Sequence, residues 1–332
     1  MDYREFRTYR EEKLVKDSGF VDAGDLDLYG KFPPAEDLFK EASGGHIGEN
    51  IHRCHLVEDF LRVYGLDGKG AIAIDKRIVS YSRGVRQSLV VLMDLYKDKK
   101  WLIPSDNYPY YQNLANTLNI EYKLFDTLGE SGFEKIKSVS TDANILLVTY
   151  PLKPSGRDYT KQDWNTLKSW LKKDASRKVI FDTVYLFDLS EEKELFQLFN
   201  ETKQVVILYS LSKAFAAPMI AGFTFTFDNE IRESFKKIDR DEKFNAGMRL
   251  CYFLLNLEEG LARRDEIRGF LRNQKATAVS EGILPESFTG EGYLFYLPHG
   301  DFADLESKGI LTVPPGVYSS PKDGVIISTL SL

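Results

Sequence analysis

Cysteine is scarce in this sequence. Cys54 and Cys251 are the only two in 332 residues, too few for a disulfide framework or a cysteine-based zinc site, and they fit a reducing compartment. Histidine is nearly as rare. His46, His52 and His55 lie close together but have no carboxylate at ligand spacing, and His299 stands apart, so no metal is expected. An excess of positive charge is also missing. The 44 Lys and Arg against 50 Asp and Glu leave a net charge of −6, so no global field draws nucleic acid. No apolar run reaches the ~18 residues of a membrane span. The polar start, Met1-Asp-Tyr-Arg-Glu-Phe-Arg7, lacks the apolar core of a signal peptide. These absences lead us to expect a cytoplasmic protein with no nucleic-acid and no membrane partner.

What is present is an alternation of short apolar runs with helical patterns, starting near residue 70. Strands are expected at 78–82, 101–104, 121–125, 144–149, 178–182, 205–209 and 222–227. Helices are expected over 85–96, 110–118 and 160–172, the last behind the cap-like Thr160. Strands alternating with helices predict an α/β fold, a mostly parallel sheet sandwiched by helices. Ligands bind beyond the carboxyl ends of such strands. After Asp228 a long helical region, 229–280 with a break near Asn245, gives way to short strands and turns. The expected division is a large domain over 48–230 and a small α+β domain from 1–47 and 231–332. A Pro33-Pro34 turn and the Ser43-Gly-Gly45 stretch precede the large one.

Lys213 interrupts the run Val205-Val-Ile-Leu-Tyr-Ser-Leu-Ser-Lys-Ala-Phe-Ala-Ala-Pro-Met-Ile-Ala-Gly222. A lysine in a buried strand-to-loop stretch costs several kcal/mol unless it reaches the surface, is neutralised or is used. A Schiff base is one such use. Ser210 and Ser212 flank it, and Asp182-Thr-Val-Tyr185 ends the preceding apolar strand. Asp182 alone also reads as a helix cap.

In order and chemistry these segments resemble the fold type I pyridoxal-phosphate enzymes, most closely the class I and II aminotransferases. The resemblance extends from about Asp27 to Ser328. It implies pyridoxal 5′-phosphate as cofactor, a small-molecule amine or amino acid as substrate, and a homodimer. It implies that Lys213 bonds the cofactor and moves protons, that Asp182 pairs with the ring nitrogen, and that Tyr185 donates to the ring's 3′ oxygen. Ser210, with Ser212 beside it, resembles the phosphate serine. Ser82-Arg-Gly-Val-Arg86 resembles the phosphate turn, with Gly84 permitting close approach and Val85 and Arg86 offering amides at a helix N-terminus. Tyr108 resembles the aromatic residue that stacks on the ring. Tyr150-Pro-Leu-Lys-Pro-Ser-Gly156 resembles the Asn-Pro-x-Asn-Pro-Thr-Gly loop with Lys153 at the second asparagine. Lys153 then either donates to the 3′ oxygen or, if the loop has shifted, points to solvent. Gly30 resembles the backbone position beside the substrate.

Three departures from the family pattern stand out. Ala221 occupies the place of the phosphate arginine eight residues past the lysine, and the arginine side chains of the 82–86 turn are the candidates to compensate. No tyrosine occurs between Gly30 and Tyr64 to serve as the cross-subunit phosphate tyrosine. The carboxylate-binding arginine falls on Val325 or Ile326, and no arginine follows Arg272. Either Arg157 or another cation holds the substrate carboxylate, or the substrate has none. The implied activity is an aminotransferase of a specialised biosynthetic pathway. A lyase, decarboxylase or cyclase on the same fold is the alternative, and a degenerate binding protein the third reading.

Overall fold

The computed structural model describes residues 1–43, 51–128, 133, 136, 142–218, 220–238, 246–286, 288, 292–318, 320 and 323–332. The Gly44-Gly45 pair, His46, Asn245 and the expected domain boundary at 47/48 lie outside them.

Seven strands form the central sheet: β2 (Val79–Ser82), β3 (Trp101–Pro104), β4 (Tyr122–Phe125), β5 (Ile145–Thr149), β6 (Lys178–Asp182), β7 (Val205–Ser210) and β8 (Gly222–Thr226). Their order is β2-β8-β7-β6-β5-β3-β4. The five strands β3 to β7 run parallel, and β8 is antiparallel to both neighbours. The fold is the α/β architecture the alternation implied. β5, β7 and β8 are buried along their whole length. Alternate residues enter opposite cores, as a two-residue period requires. Leu146, Val148, Val179, Phe181, Val205 and Ile207 pack on one face, and Ile145, Leu147, Ile180, Val206 and Leu208 on the other. Each such side chain contributes roughly 1.5–3 kcal/mol by leaving water.

Helices cover both faces. α1 (Tyr3–Lys16), α2 (Ala35–Ser43) and α3 (Arg53–Val63) precede the sheet, and α4 (Val85–Leu95) and α5 (Tyr110–Thr117) come after β2 and β3. α6 (Lys161–Leu171) starts behind Thr160, whose hydroxyl accepts from Asp163 N while Asp163 accepts from Thr160 N, a reciprocal cap. α7 (Lys193–Thr202) leads into β7, and α8 (Leu211–Ala214) is the single turn that carries Lys213. The expected long helix is three: α9 (Asn229–Ile238), α10 (Ala246–Asn256) and α11 (Glu258–Ser280). The second break falls at Leu257, which leaves helical space with φ −96° and ψ 148°. Leucine is a good helix former, so composition gave no sign of it.

The chain's two ends meet. β1 (Val21–Asp22) pairs in parallel with β10 (Ile310–Leu311), and β9 (Leu294–Leu297) pairs antiparallel with β11 (Val325–Ser328). Ser328 N donates to Ala23 O at 2.8 Å, and Lys31 pairs with Asp25 at 2.7 Å. Between β10 and β11 the Pro314-Pro-Gly316 stretch makes a 3-10 turn, Pro315–Tyr318. Among the described residues no helix is long and apolar enough to cross a membrane. Among them, too, no group of three or more His, Cys, Asp and Glu is placed to hold a metal ion. Cys54 is exposed and Cys251 buried, and both are free.

Candidate active site

β7 ends at Ser210, whose hydroxyl accepts from Ser212 N at 3.2 Å and so starts the turn that carries Lys213. Buried Leu211, Ala214 and Phe215 anchor that turn. Arg263 of α11 clamps the end of the turn, donating from Nε to Phe215 O and from Nη2 to Pro33 O, each at 2.6 Å. The backbone of Lys213 is thereby fixed, and its side chain lies among tyrosines. Its Nζ donates to Tyr293 Oη at 3.0 Å and lies 4.4 Å from the centre of the Tyr29 ring. The rings of Tyr293 and Tyr185 stand 5.6 and 5.7 Å away. Burial pushes its pKa down to about 8, with the Asp27 carboxylate opposing and the Arg86 guanidinium adding to the fall. An amine so placed gives up its proton more readily than an ordinary lysine.

Asp182 ends β6 and is 4% exposed. Tyr111 Oη donates to its Oδ2 at 2.5 Å and Val184 N to its Oδ1 at 3.0 Å. Burial raises its pKa to about 6, and these two donors hold it from rising further. Tyr185 sits edge-on to Tyr293, with ring centres 5.6 Å apart. Burial raises the Tyr185 phenol, and its hydrogen bond with Tyr293 pulls the other way.

Gly84 is the N-cap of α4, and no side chain caps that helix. Its φ of +107° is open to glycine and costly for other residues. A Cβ there would lie 3.1 Å from Ser210 Oγ, and one on Gly222 would lie 2.5 Å from Gly84 Cα. The turn thus meets the start of β8 backbone to backbone and presents amides beside the Ser210 hydroxyl that ends β7. Val85 is buried and Arg86 exposed. The Arg86 guanidinium lies 5.5 Å from the ring centre of Tyr108 and 5.3 Å from that of Tyr110, and its Nη2 donates to Tyr108 Oη.

Of the two positions the sequence left for Lys153, solvent is excluded, because the residue is 2% exposed. Its Nζ lies 5.1 Å from the centre of the Tyr185 ring and 5.7 Å from that of Phe295. Gly292, with φ +101°, makes the room, since a Cβ there would stand 2.5 Å from that Nζ. Arg157 is held by α6 instead: its Nη1 pairs with Asp163 Oδ2 at 2.7 Å. Its remaining buried nitrogens, Nε and Nη2, have no hydrogen-bond partner, and no contact joins it to Lys213, Asp182 or Tyr185 among the described residues. Gly30 is exposed and donates to Asp27 Oδ1 at 3.1 Å. Val325 and Ile326 are buried in β11 and carry no polar side-chain group.

Sequence reasoning missed Tyr29, Tyr111, Tyr293 and Arg263. None of the four had a local signal, because a tyrosine or arginine at these places reads as packing or as a solvated helix face. The pyridoxal phosphate implied by the motifs fits the residues present. A desolvated amine, a buried carboxylate and a glycine-lined helix N-terminus beside Ser210 answer its carbonyl, its ring nitrogen and its phosphate.

Comparison with known proteins points the same way. The family model described as aminotransferase class I and II matches residues 48–244. A curated relative, the histidinol-phosphate aminotransferase of Francisella philomiragia, is 23% identical over 186 residues, which cover 53% of this chain. The matched stretch spans about half of that relative, 48% of its length. Among solved structures, a probable N-succinyldiaminopimelate aminotransferase from Thermus thermophilus aligns with a TM-score of 0.72 at 20% identity, over 99% of this chain and 94% of that one. The aspartate aminotransferase of Rhizobium meliloti aligns at 0.74 and 15% identity, over 99% and 91%. At such identity these structures speak to the fold.

Proposed function

The chain belongs to the class I and II aminotransferases, a pyridoxal-phosphate-dependent family, and from that premise we propose that it transfers amino groups between a small amine or amino acid and an acceptor. The observation that carries this reading is Lys213, whose amine is pushed to about 8 and bonded to Tyr293, at the end of the strand next to the one that Asp182 closes. Bound here, pyridoxal phosphate supplies a carbonyl that condenses with amines and a ring that takes up electrons when a neighbouring C–H bond ionises. Lys213 Nζ is the group that bonds it and that carries a proton to and from the substrate carbon. Asp182, as a carboxylate, holds the proton of the ring nitrogen, and Tyr111 and Val184 N keep that carboxylate oriented. Ser210 and the amides of Gly84, Val85 and Arg86 receive the phosphate. Tyr185 and Lys153 are the donors toward the ring oxygen, Tyr108 is the stacking ring, and Gly30 lies beside the substrate.

The division into 48–230 and the two flanking stretches, a homodimer, a cytoplasmic setting and a place in a specialised biosynthetic pathway complete the reading. The two free cysteines support the setting, and the family resemblance supports the dimer. The apolar β11 keeps the second reading, lyase, decarboxylase or cyclase chemistry on the same residues, in view. The test is incubation of the holoenzyme with a panel of amines and 2-oxo acids. The expected outcome is amino transfer to at least one acceptor. Release of carbon dioxide or ammonia without transfer would favour the second reading.

A further inference from the structure

The phosphate end of the site has no cation where Ala221 stands, eight residues past the lysine. Ala221 is fully buried, and its carbonyl accepts from Leu211 N at 3.1 Å and from Ser210 Oγ at 3.3 Å. Gly222 then closes against Gly84, as the close approach of their backbones shows. A cation stands instead on the helix side of the turn. Arg86 lies in the first turn of α4, two residues past Gly84, and its exposed side chain bends back over Tyr108 and Tyr110. Among the described residues, none of its contacts is with a carboxylate. Its charge nevertheless bears on the site, acting on both Lys213 and Tyr29.

We propose that the Arg86 guanidinium is the phosphate-binding cation of this enzyme, reaching the dianion from the helix side, and that Tyr108 positions it through the Nη2–Oη hydrogen bond. The proposal rests on the cofactor reading above. A guanidinium fork matches two phosphate oxygens, and it adds charge where the amides of α4 already converge. Tyr108 then has two tasks, a ring for the cofactor and a hydroxyl for the arginine.

The test uses binding rather than turnover. Apoenzyme is titrated with pyridoxal phosphate and, separately, with pyridoxal, for the natural protein, Arg86→Gln, Arg86→Lys, Tyr108→Phe and Arg83→Gln. Arg86→Gln should weaken pyridoxal phosphate by about tenfold or more, the worth of one charge-assisted bond, and leave pyridoxal unchanged. Arg86→Lys should keep part of the preference for the phosphorylated form, Tyr108→Phe should lose a smaller part, and Arg83→Gln should lose none. An equal loss for both ligands, or no loss for either, overturns the proposal. So does a variant that binds both ligands normally but binds amino donors poorly, since that would assign Arg86 to the substrate. Absence of amino transfer with the Arg86-dependent preference intact would sink the aminotransferase reading and leave this one standing.

Discussion

The strand ends of β6 and β7 and the strand β11 make an instructive pair. All are buried, yet β6 and β7 close on Asp182 and lead into Lys213, whereas β11 reads Val325-Ile-Ile-Ser328. A buried ionisable group costs several kcal/mol unless its surroundings hold it. Asp182 is held by Tyr111 and Val184, and Lys213 by Tyr293 and the Tyr29 face. β11 offers no comparable support. Val325 and Ile327 pack with Ala23 and Phe295, and Ile326 joins the main core. The first region is built around charge and the second around packing. The half of the site that handles the cofactor is therefore separable from the half that, in the family pattern, grips a substrate carboxylate.

The contrast breaks most severely if Asp182 is neutralised without loss of shape. Asp182→Asn should retain cofactor but lose turnover by about 10²-fold or more, the usual scale for a positioned acid–base group. A natural rate in that variant would make Asp182 a packing residue like those of β11. The pH behaviour sharpens the point. Folding raises Asp182 from its ordinary value to about 6, so the apoprotein holds its proton there until the pH exceeds about 6. Cofactor affinity should thus weaken as pH falls through 6, because binding at the ring nitrogen requires the carboxylate. Lys213 stays charged below about 8, so affinity should also rise as pH climbs toward 8. Tyr111→Phe removes a donor that favours the Asp182 carboxylate, and should move the acid limb to higher pH.

A smaller effect probes the other region. Ile326→Arg places a cation among the apolar side chains of the main core, and should cost roughly 3–5 kcal/mol of stability, as an unpaired buried charge does. It should not raise activity on aspartate or phenylalanine. Normal stability with a gain on those amino acids would mean that β11 is a carboxylate site merely missing its arginine.

Much of this was legible in the chain. The apolar runs marked the strands, since strands buried on both faces are continuous in hydrophobicity. Lys213 and Asp182 stood out because ionisable residues at the ends of such runs need a reason. The tyrosines did not, because a tyrosine within an apolar stretch reads as packing. Tyr293 reaches Lys213 from 80 residues away and Tyr111 reaches Asp182 from 71. No local pattern encodes such pairings. Lys153 was ambiguous for a similar reason: its burial depends on the space that Gly292 leaves, in a distant segment. Arg157 looked available in the sequence and proved to be held by Asp163, the residue that completes the cap of α6.

The central claim is that Lys213 is the amine that bonds the cofactor. Borohydride reduction of the holoenzyme fixes the cofactor to whichever amine it is bonded to, and peptide mapping then locates it. The account predicts a single modified peptide carrying the cofactor on Lys213. Label on Lys153 or any other lysine, or no label at all, would contradict it.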